Sequence, residues 1–150
     1  MMLQEGMLQF EFSEDALSVF KFDEQNAQKP TFHGLSHCMK AVDMIVEYDH
    51  YYVFIEIKNP TEQARYDSPQ DNNELVLNLV TKFRDSFLYR WSEQKLDKPV
   101  RYQCLIEMDN ALTHHVMKQL KIKLPMTNLP VMWHQQLAEF CGVFSSQSLE

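Results

Sequence analysis

The chain predicts an α/β fold, or α+β by a stricter rule, in which one mixed β-sheet carries helices against it. Three observations carry that expectation. Residues 40–59 hold two apolar runs parted by Asp49-His50, the pattern of a β-hairpin. Residues 73–94 repeat apolar side chains at steps of three and four, the pattern of a long helix. Residues 100–109 alternate in the way of a half-buried strand. A length of 150 residues suits a single domain over 1–150, with a core at about 39–109 and a C-terminal helical extension at about 111–144.

The elements follow in order. Leu8, Phe10 and Phe12 alternate with Gln9 and Glu11, so residues 7–12 read as a short strand. Residues 16–22 are ambiguous between a helix capped by Ser13 and the second arm of an N-terminal hairpin. Val19, Phe20 and Phe22 tip the balance to the hairpin. Residues 23–38 are polar, with Pro30 and Gly34, and read as a loop. The two strands of residues 40–59 end at Asn59-Pro60, since proline cannot donate to a ladder. A polar loop follows over 60–73.

Asp71 and Glu74 have the spacing of a capping box, so the long helix is expected over 73–94. Its apolar stripe is Val76, Leu79, Val80, Phe83, Phe87, Leu88 and Trp91. Val100, Tyr102, Cys104, Ile106 and Met108 form one face of the next strand. Residues 111–122 read as a helix whose lysine-rich end (Lys118, Lys121, Lys123) complements its dipole. Pro125 and Pro130 bracket a linker, and residues 131–144 are expected to make a last helix through Trp133, Leu137, Phe140, Cys141 and Phe144.

Composition excludes several classes. Three glycines and no repeat period rule out collagen-like and solenoid designs and leave no phosphate-cradling glycine loop. The apolar runs are far too short for a membrane span. No secretory pattern is visible, and Cys38, Cys104 and Cys141 are odd in number and widely spaced, which suits reduced thiols and a cytoplasmic location. The net charge of −7 is uneven. Residues 1–75 hold 5 Lys/Arg against 14 Asp/Glu, and residues 76–150 hold 9 against 7. An acidic chain is a poor general coat for nucleic acid. A local basic face drawn from Lys82, Arg84, Arg90, Lys95, Lys98, Arg101 and the lysines of 118–123 is weighed against a plain solvated surface, and the second is favoured.

The hairpin carries the chemistry. A two-residue turn at Asp49-His50 pairs residues whose numbers sum to 99, so Asp43 lies opposite Glu56 and Ala41 opposite Lys58. Val42, Met44, Val46, Val53, Ile55 and Ile57 take one face; Asp43, Glu47, Glu56 and Lys58 take the other, with Ile45, Tyr52 and Phe54. Opposed Cβ atoms are about 5 Å apart. Two carboxylates at that distance repel, so one takes a proton or a cation sits between them. Lys58 is the nearest built-in cation, and a hard divalent ion is the stronger answer.

An aspartate on one strand followed by Glu-x-Lys on the next resembles the PD-(D/E)XK nuclease superfamily. The matching residues are Asp43 and Glu56-Ile57-Lys58, and the order hairpin, helix, strand over about 39–109 fits as well. The resemblance implies a restriction-endonuclease-like fold and metal-dependent hydrolysis of phosphodiester bonds. Mg²⁺ or Mn²⁺ would be held by Asp43, Glu56 and the backbone carbonyl of Ile57, with Lys58 orienting or activating the attacking water. Nucleic acid, DNA before RNA, is the implied partner. The family's proline before the aspartate is Val42 here, and its acidic residue on an earlier helix has no clear counterpart among Glu11, Glu14, Asp15 and Glu24. The alternative is a catalytically inactive member that binds a protein partner, for example as an inhibitor or immunity-type module.

Four other features are weighed. His33, His37 and Cys38 are spaced for zinc on a helix, but the surroundings read as loop and a fourth ligand is missing. Tyr48, Tyr51 and Tyr52 could stack on bases, and cross-strand packing is the preferred reading. Glu47 is a possible auxiliary ligand, and His114-His115 are read as exposed.

Overall fold

The computed structural model describes residues 1–6, 8–58, 68–107, 109–126 and 138–144. Its elements run β1 (Met2–Glu5), β2 (Leu8–Glu11), β3 (Ser18–Lys21), β4 (Met44–Glu47), β5 (Tyr52–Ile57), α1 (Pro69–Ser92), β6 (Val100–Leu105), α2 (Asn110–Lys123) and β7 (Phe140–Phe144). The fold class is mixed α/β. β1 and β2 form a separate hairpin, and the main sheet has the order β3-β4-β5-β6-β7. β3, β4 and β5 are an antiparallel meander, while β5, β6 and β7 run parallel. Parallel neighbours need long crossovers. α1 supplies the first, between β5 and β6, and α2 lies in the second, between β6 and β7.

Both faces of the central strands are covered. On one, Leu75, Val76, Leu79, Val80 and Phe83 of α1 and Val116 and Leu120 of α2 pack on Ile45, Phe54, Val100, Tyr102 and Cys104. The Phe83 ring lies 5.8 Å from Phe54 and 5.0 Å from Tyr102, and the Tyr102 hydroxyl donates to the Leu79 carbonyl at 2.8 Å. On the other face, Met44, Val46, Val53 and Ile55 meet Ala16, Val19 and, from the N-terminal hairpin, Leu3 and Phe10. Strands buried on both sides read as unbroken apolar runs, which is why 44–46 and 52–55 carry so little polarity. Among the described residues no helix is long and apolar enough to cross a membrane.

The turn arithmetic holds: Met44↔Ile55, Ile45↔Phe54, Val46↔Val53 and Glu47↔Tyr52 are paired, and Tyr48 N–H donates to the Tyr51 carbonyl across Asp49-His50. Four expectations need correction. The N-terminal hairpin is β1 with β2; the piece at 16–22 instead gives β3, which pairs with β4. Helix α1 begins at Pro69, capped by Ser68, whose hydroxyl accepts from Asp71 N–H at 3.1 Å. Proline suits the first helical position, so Asp71 lies in the first turn and the Asp71/Glu74 box is not the cap. The stripe also turns away from Leu88 and Trp91, which are 53% and 64% exposed, toward Ser86 and Arg90.

The fourth correction is at the C-terminus. Residues 140–144 form a strand, not a helix, and the part of that expectation over 131–137, with Trp133 and Leu137, lies outside the described residues. Cys141 and Val143 face the helix-side core at period two. Gly142 sits between the rings of Phe140 and Phe144; a Cβ there would come within 2.9 Å of one and 2.7 Å of the other. Glycine is poor in a helix, and here it gives two rings room over the strand.

Candidate active site

β4 and β5 converge on the site at the end of the ladder away from the turn. Beyond the last pair, Met44↔Ile55, the same register sets Asp43 against Glu56. Here the ladder gives way to a side chain: Asp43 Oδ2 accepts from Ile57 N–H at 2.7 Å. The Asp43 carbonyl accepts from Phe22 N–H at 2.9 Å, which ties the residue to β3 as well. Asp43 is thus held by backbone on two sides. Val42, expected beside Met44, packs instead in the helix-side core, and its N–H donates to Ser86 Oγ at 2.9 Å. The chain before Met44 has left the ladder, so strict alternation no longer applies to it.

Glu56 is 1% exposed. Two ammonium groups approach its Oε1: Lys82 Nζ at 2.5 Å and Lys58 Nζ at 3.7 Å. Lys58 also donates to Asn78 Oδ1 at 2.9 Å, so α1 holds it from above. Glu56 Oε2 is buried without a hydrogen-bond donor. Burial, then the charge of Asp43, pushes the Glu56 carboxyl up to about 8 against the pull of both lysines. Burial raises Asp43 too, against the Ile57 N–H and Lys82. Burial alone would lower Lys82, but attraction and hydrogen bonding to Glu56, with Asp43 behind it, outweigh that and raise it.

A consistent protonation follows. Asp43 and Glu56 act on each other as like charges in a buried site, which favours one proton on the pair. With that proton on Glu56, its Oε1 still accepts from Lys82, and Asp43 keeps the negative charge that Ile57 N–H holds. The expected cluster of Asp43, Glu56 and Lys58 is therefore brought together.

The chain matches no known family model, no curated protein and no solved structure. The site is read from its geometry alone.

Two members escaped the sequence reading: Lys82 and Asn78. They are four apart on α1, and Lys82 is three after Leu79, so a helix that buries Leu79 carries both at the edge of the same stripe. Glu11, Glu14 and Asp15 are exposed. Glu5 on β1 acts on Asp43 through space and pairs with Lys21 at 3.0 Å.

The remaining candidates disperse. Glu47 is at the turn end, paired with Lys98 at 2.6 Å, and is no auxiliary ligand. His33 Nδ1 accepts from Leu35 N–H and its ring packs against Phe22, Phe32 and Tyr89, while His37 and Cys38 are exposed. No group of three or more His, Cys, Asp or Glu suited to a metal occurs among the described residues. Tyr48 and Tyr51 pack on each other at 5.0 Å, and Arg101 lies over Tyr51 at 3.9 Å. The basic second half is largely tied internally: Arg90 and Lys95 to Glu93, Lys98 to Glu47, Arg101 to Glu139, and Arg84 to the Lys123 carbonyl. His114 and His115 are exposed.

Proposed function

We propose that the protein is a metal-dependent nuclease with a restriction-endonuclease-like core, hydrolysing phosphodiester bonds of nucleic acid, DNA before RNA. The observation that carries this reading is the buried Asp43–Glu56 pair at the hairpin end, with Lys58 3.7 Å from Glu56. Buried charge pairs add little net stability, so a cluster of two carboxyls and two lysines calls for a use.

The donor set fits Mg²⁺ or Mn²⁺. Glu56 Oε2 lacks a donor, both carboxyls hold protons more tightly than usual, and hard carboxylate oxygens suit these ions. Asp43, Glu56 and the Ile57 carbonyl would be the ligands. When bound, the metal lowers the pKa of its water and neutralises charge on the phosphoryl oxygens. The chain's own groups do the rest. Ile57 N–H fixes the Asp43 carboxylate. Asn78 holds the Lys58 ammonium beside Glu56, where it can orient water and steady charge at the phosphate. Lys82 balances the charge of Glu56 once its proton leaves.

One observation favours a second reading. Lys82 and Lys58 already occupy the surroundings of Glu56, and Glu56 is almost fully enclosed. That suits an inactive relative of the same fold that binds a protein partner.

The test is cleavage of plasmid and linear DNA by purified protein with Mg²⁺ or Mn²⁺, with a chelator as control, for wild type, Asp43→Ala and Lys58→Ala. The nuclease reading expects metal-dependent activity that falls at least a hundredfold in either variant. Equal activity in all three marks a contaminant and sinks it. Inert wild type with Asp43→Ala more stable, and a protein partner that copurifies stoichiometrically, supports the second reading.

A further inference from the structure

The outer side of α1 is open to solvent. Leu77, Leu88 and Trp91 are 61%, 53% and 64% exposed there. They belong to one stripe. Glu74, Leu77, Thr81, Arg84, Leu88 and Trp91 follow one another at alternating steps of three and four residues. That spacing is the seam of a two-helix coiled coil. The sheet side of α1 is already taken by Leu75, Val76, Leu79, Val80 and Phe83, so the outer stripe is a second seam on the same helix. Arg84 donates to the Lys123 carbonyl at 3.1 Å, which sets the last turn of α2 beside the middle of the stripe. Ile122 in that turn is 67% exposed. Isolated exposed apolar residues are ordinary, but four gathered along one seam form the kind of patch that marks an interface.

The stripe is complementary to itself. In an antiparallel pair, the register that sets Leu77 against Leu88 of a second copy also sets Thr81 against Arg84 and Glu74 against Trp91. The two-fold axis makes each of these layers twice. The leucine layers are apolar on both sides. In the outer layers the Trp91 indole N–H, a donor, meets the Glu74 carboxylate, an acceptor. Other arrangements fit worse. A parallel pair sets Arg84 on Arg84 and Glu74 on Glu74, like charge on like. A shift of one heptad parts the leucines. It also carries Trp91 beyond Pro69, where the helix begins, or sets Leu77 against Lys95, past its end at Ser92. Net charge favours the same face. Each copy carries −7, so two copies repel in general, but along this stripe one acid balances one base.

We propose that the outer side of α1 docks a second copy of this chain, packed antiparallel through Leu77, Leu88 and Trp91 as a two-fold dimer. From Glu74 to Trp91 the seam runs about 26 Å along the helix. A contact of that length is small for a specific interface, so the dimer forms at roughly 10 to 100 µM. Asn78 and Lys82 reach toward Lys58 and Glu56 at the sheet and take no part in the seam. The proposal is therefore independent of metal binding and of cleavage.

The experiment is sedimentation velocity of the full chain from about 5 µM to about 500 µM, a range that brackets the expected dissociation constant. Wild type is expected to pass from monomer to dimer. Leu88→Glu and Leu77→Lys each set a charge against a leucine and are expected to weaken association about a hundredfold or more. Both positions are exposed, so neither variant loses core packing, and circular dichroism melts check that each still folds. Mixing the two variants in equal parts tests the register. One leucine layer is then whole and the other holds the two new charges face to face, so association is expected to return. Asp43→Ala is expected to associate as wild type does. A chain that stays monomeric at the highest concentration overturns the proposal and leaves the stripe to a helix of another protein. Association that Leu88→Glu leaves unchanged overturns it as well, and so does a mixture of the two variants that stays monomeric.

Discussion

Replacing Glu56 by glutamine tests the protonation of the site directly. The unfolded chain releases the Glu56 proton near 4.5, whereas the folded protein keeps it to about 8. Between those values the folded state binds more protons, so stability is full below pH 4.5, falls as pH rises, and the contribution is gone above about 8. Asp43, also raised, acts with the same sign. Lys82 does not confuse the window, because its raised value means a contribution lost only above its ordinary 10.5. One proton costs about 1.4 kcal/mol per pH unit, so Glu56 accounts for roughly 3 to 5 kcal/mol across the window. Glu56→Gln keeps the shape of the protonated acid and an oxygen for Lys82, but cannot ionise. The assay is urea unfolding followed by tryptophan fluorescence from about pH 5 to about pH 9, with stability and slope fitted at each. Wild type should lose stability with pH, and the variant should lose much less and overtake it at the alkaline end. A flat wild-type profile, or an equal slope in the variant, refutes a proton held on Glu56.

Other outcomes follow from the same contacts. Adding Mn²⁺ at pH 8 should raise wild-type stability by about 2.7 kcal/mol at a hundred times its dissociation constant and leave Asp43→Asn unmoved, which thermal melts read. Lys82→Ala should cost little near pH 6, where Glu56 is neutral, and about 3 kcal/mol or more near pH 9, where it leaves a buried charge unpaired. Ser68→Ala should lower stability by about 1 kcal/mol while Glu74→Ala stays near zero, a comparison of unfolding midpoints that separates the true cap from the expected one. Phe83→Ala, which empties the space between Phe54 and Tyr102, should cost about 3–5 kcal/mol in the same assay.

The legible parts of this fold were those set by local rules. A two-residue turn leaves one register, so Asp49-His50 sufficed to bring Asp43 to Glu56. Val100, Tyr102, Cys104 and Ile106 alternate because one face of β6 meets both helices. The illegible parts depend on partners distant in sequence. Nothing in residues 18–21 says that their neighbour is β4, reached across a long loop, and not β2. Phe140, Cys141 and Phe144 satisfy a helical spacing as well as a strand's; Gly142 was the overlooked sign. In α1 the residues toward the C-terminus mislead, because Leu88 and Trp91 extend the apolar pattern but lie on the outer side, while the sheet side takes Ser86 to bind Val42 N–H. Lys82 was missed for the same reason: a lysine in an amphipathic helix reads as solvent-facing until its sheet partner is known.

Lys82 also decides what the cluster means. A lone Glu56–Lys58 pair would be satisfied by one contact, with no need for Asp43 to turn its carboxyl onto Ile57 N–H. Instead Lys58 stands 3.7 Å off and is held by Asn78, while Lys82 makes the close contact. The two lysines thus have different contacts: Lys82 is the close partner of Glu56, and Lys58 is shared between Glu56 and Asn78. If the cluster were structural only, Lys82→Ala should be the costlier change, since Lys82 makes the close contact, and wild type should not cleave DNA. If Lys58 is kept for a phosphate, Lys58→Ala should barely change stability at pH 7 yet abolish cleavage, and Lys82→Ala should do more to stability than to the affinity for DNA. Paired melts and cleavage assays on the two variants separate these cases, and equal stability losses with no cleavage in wild type would leave the lysines as ordinary counter-ions.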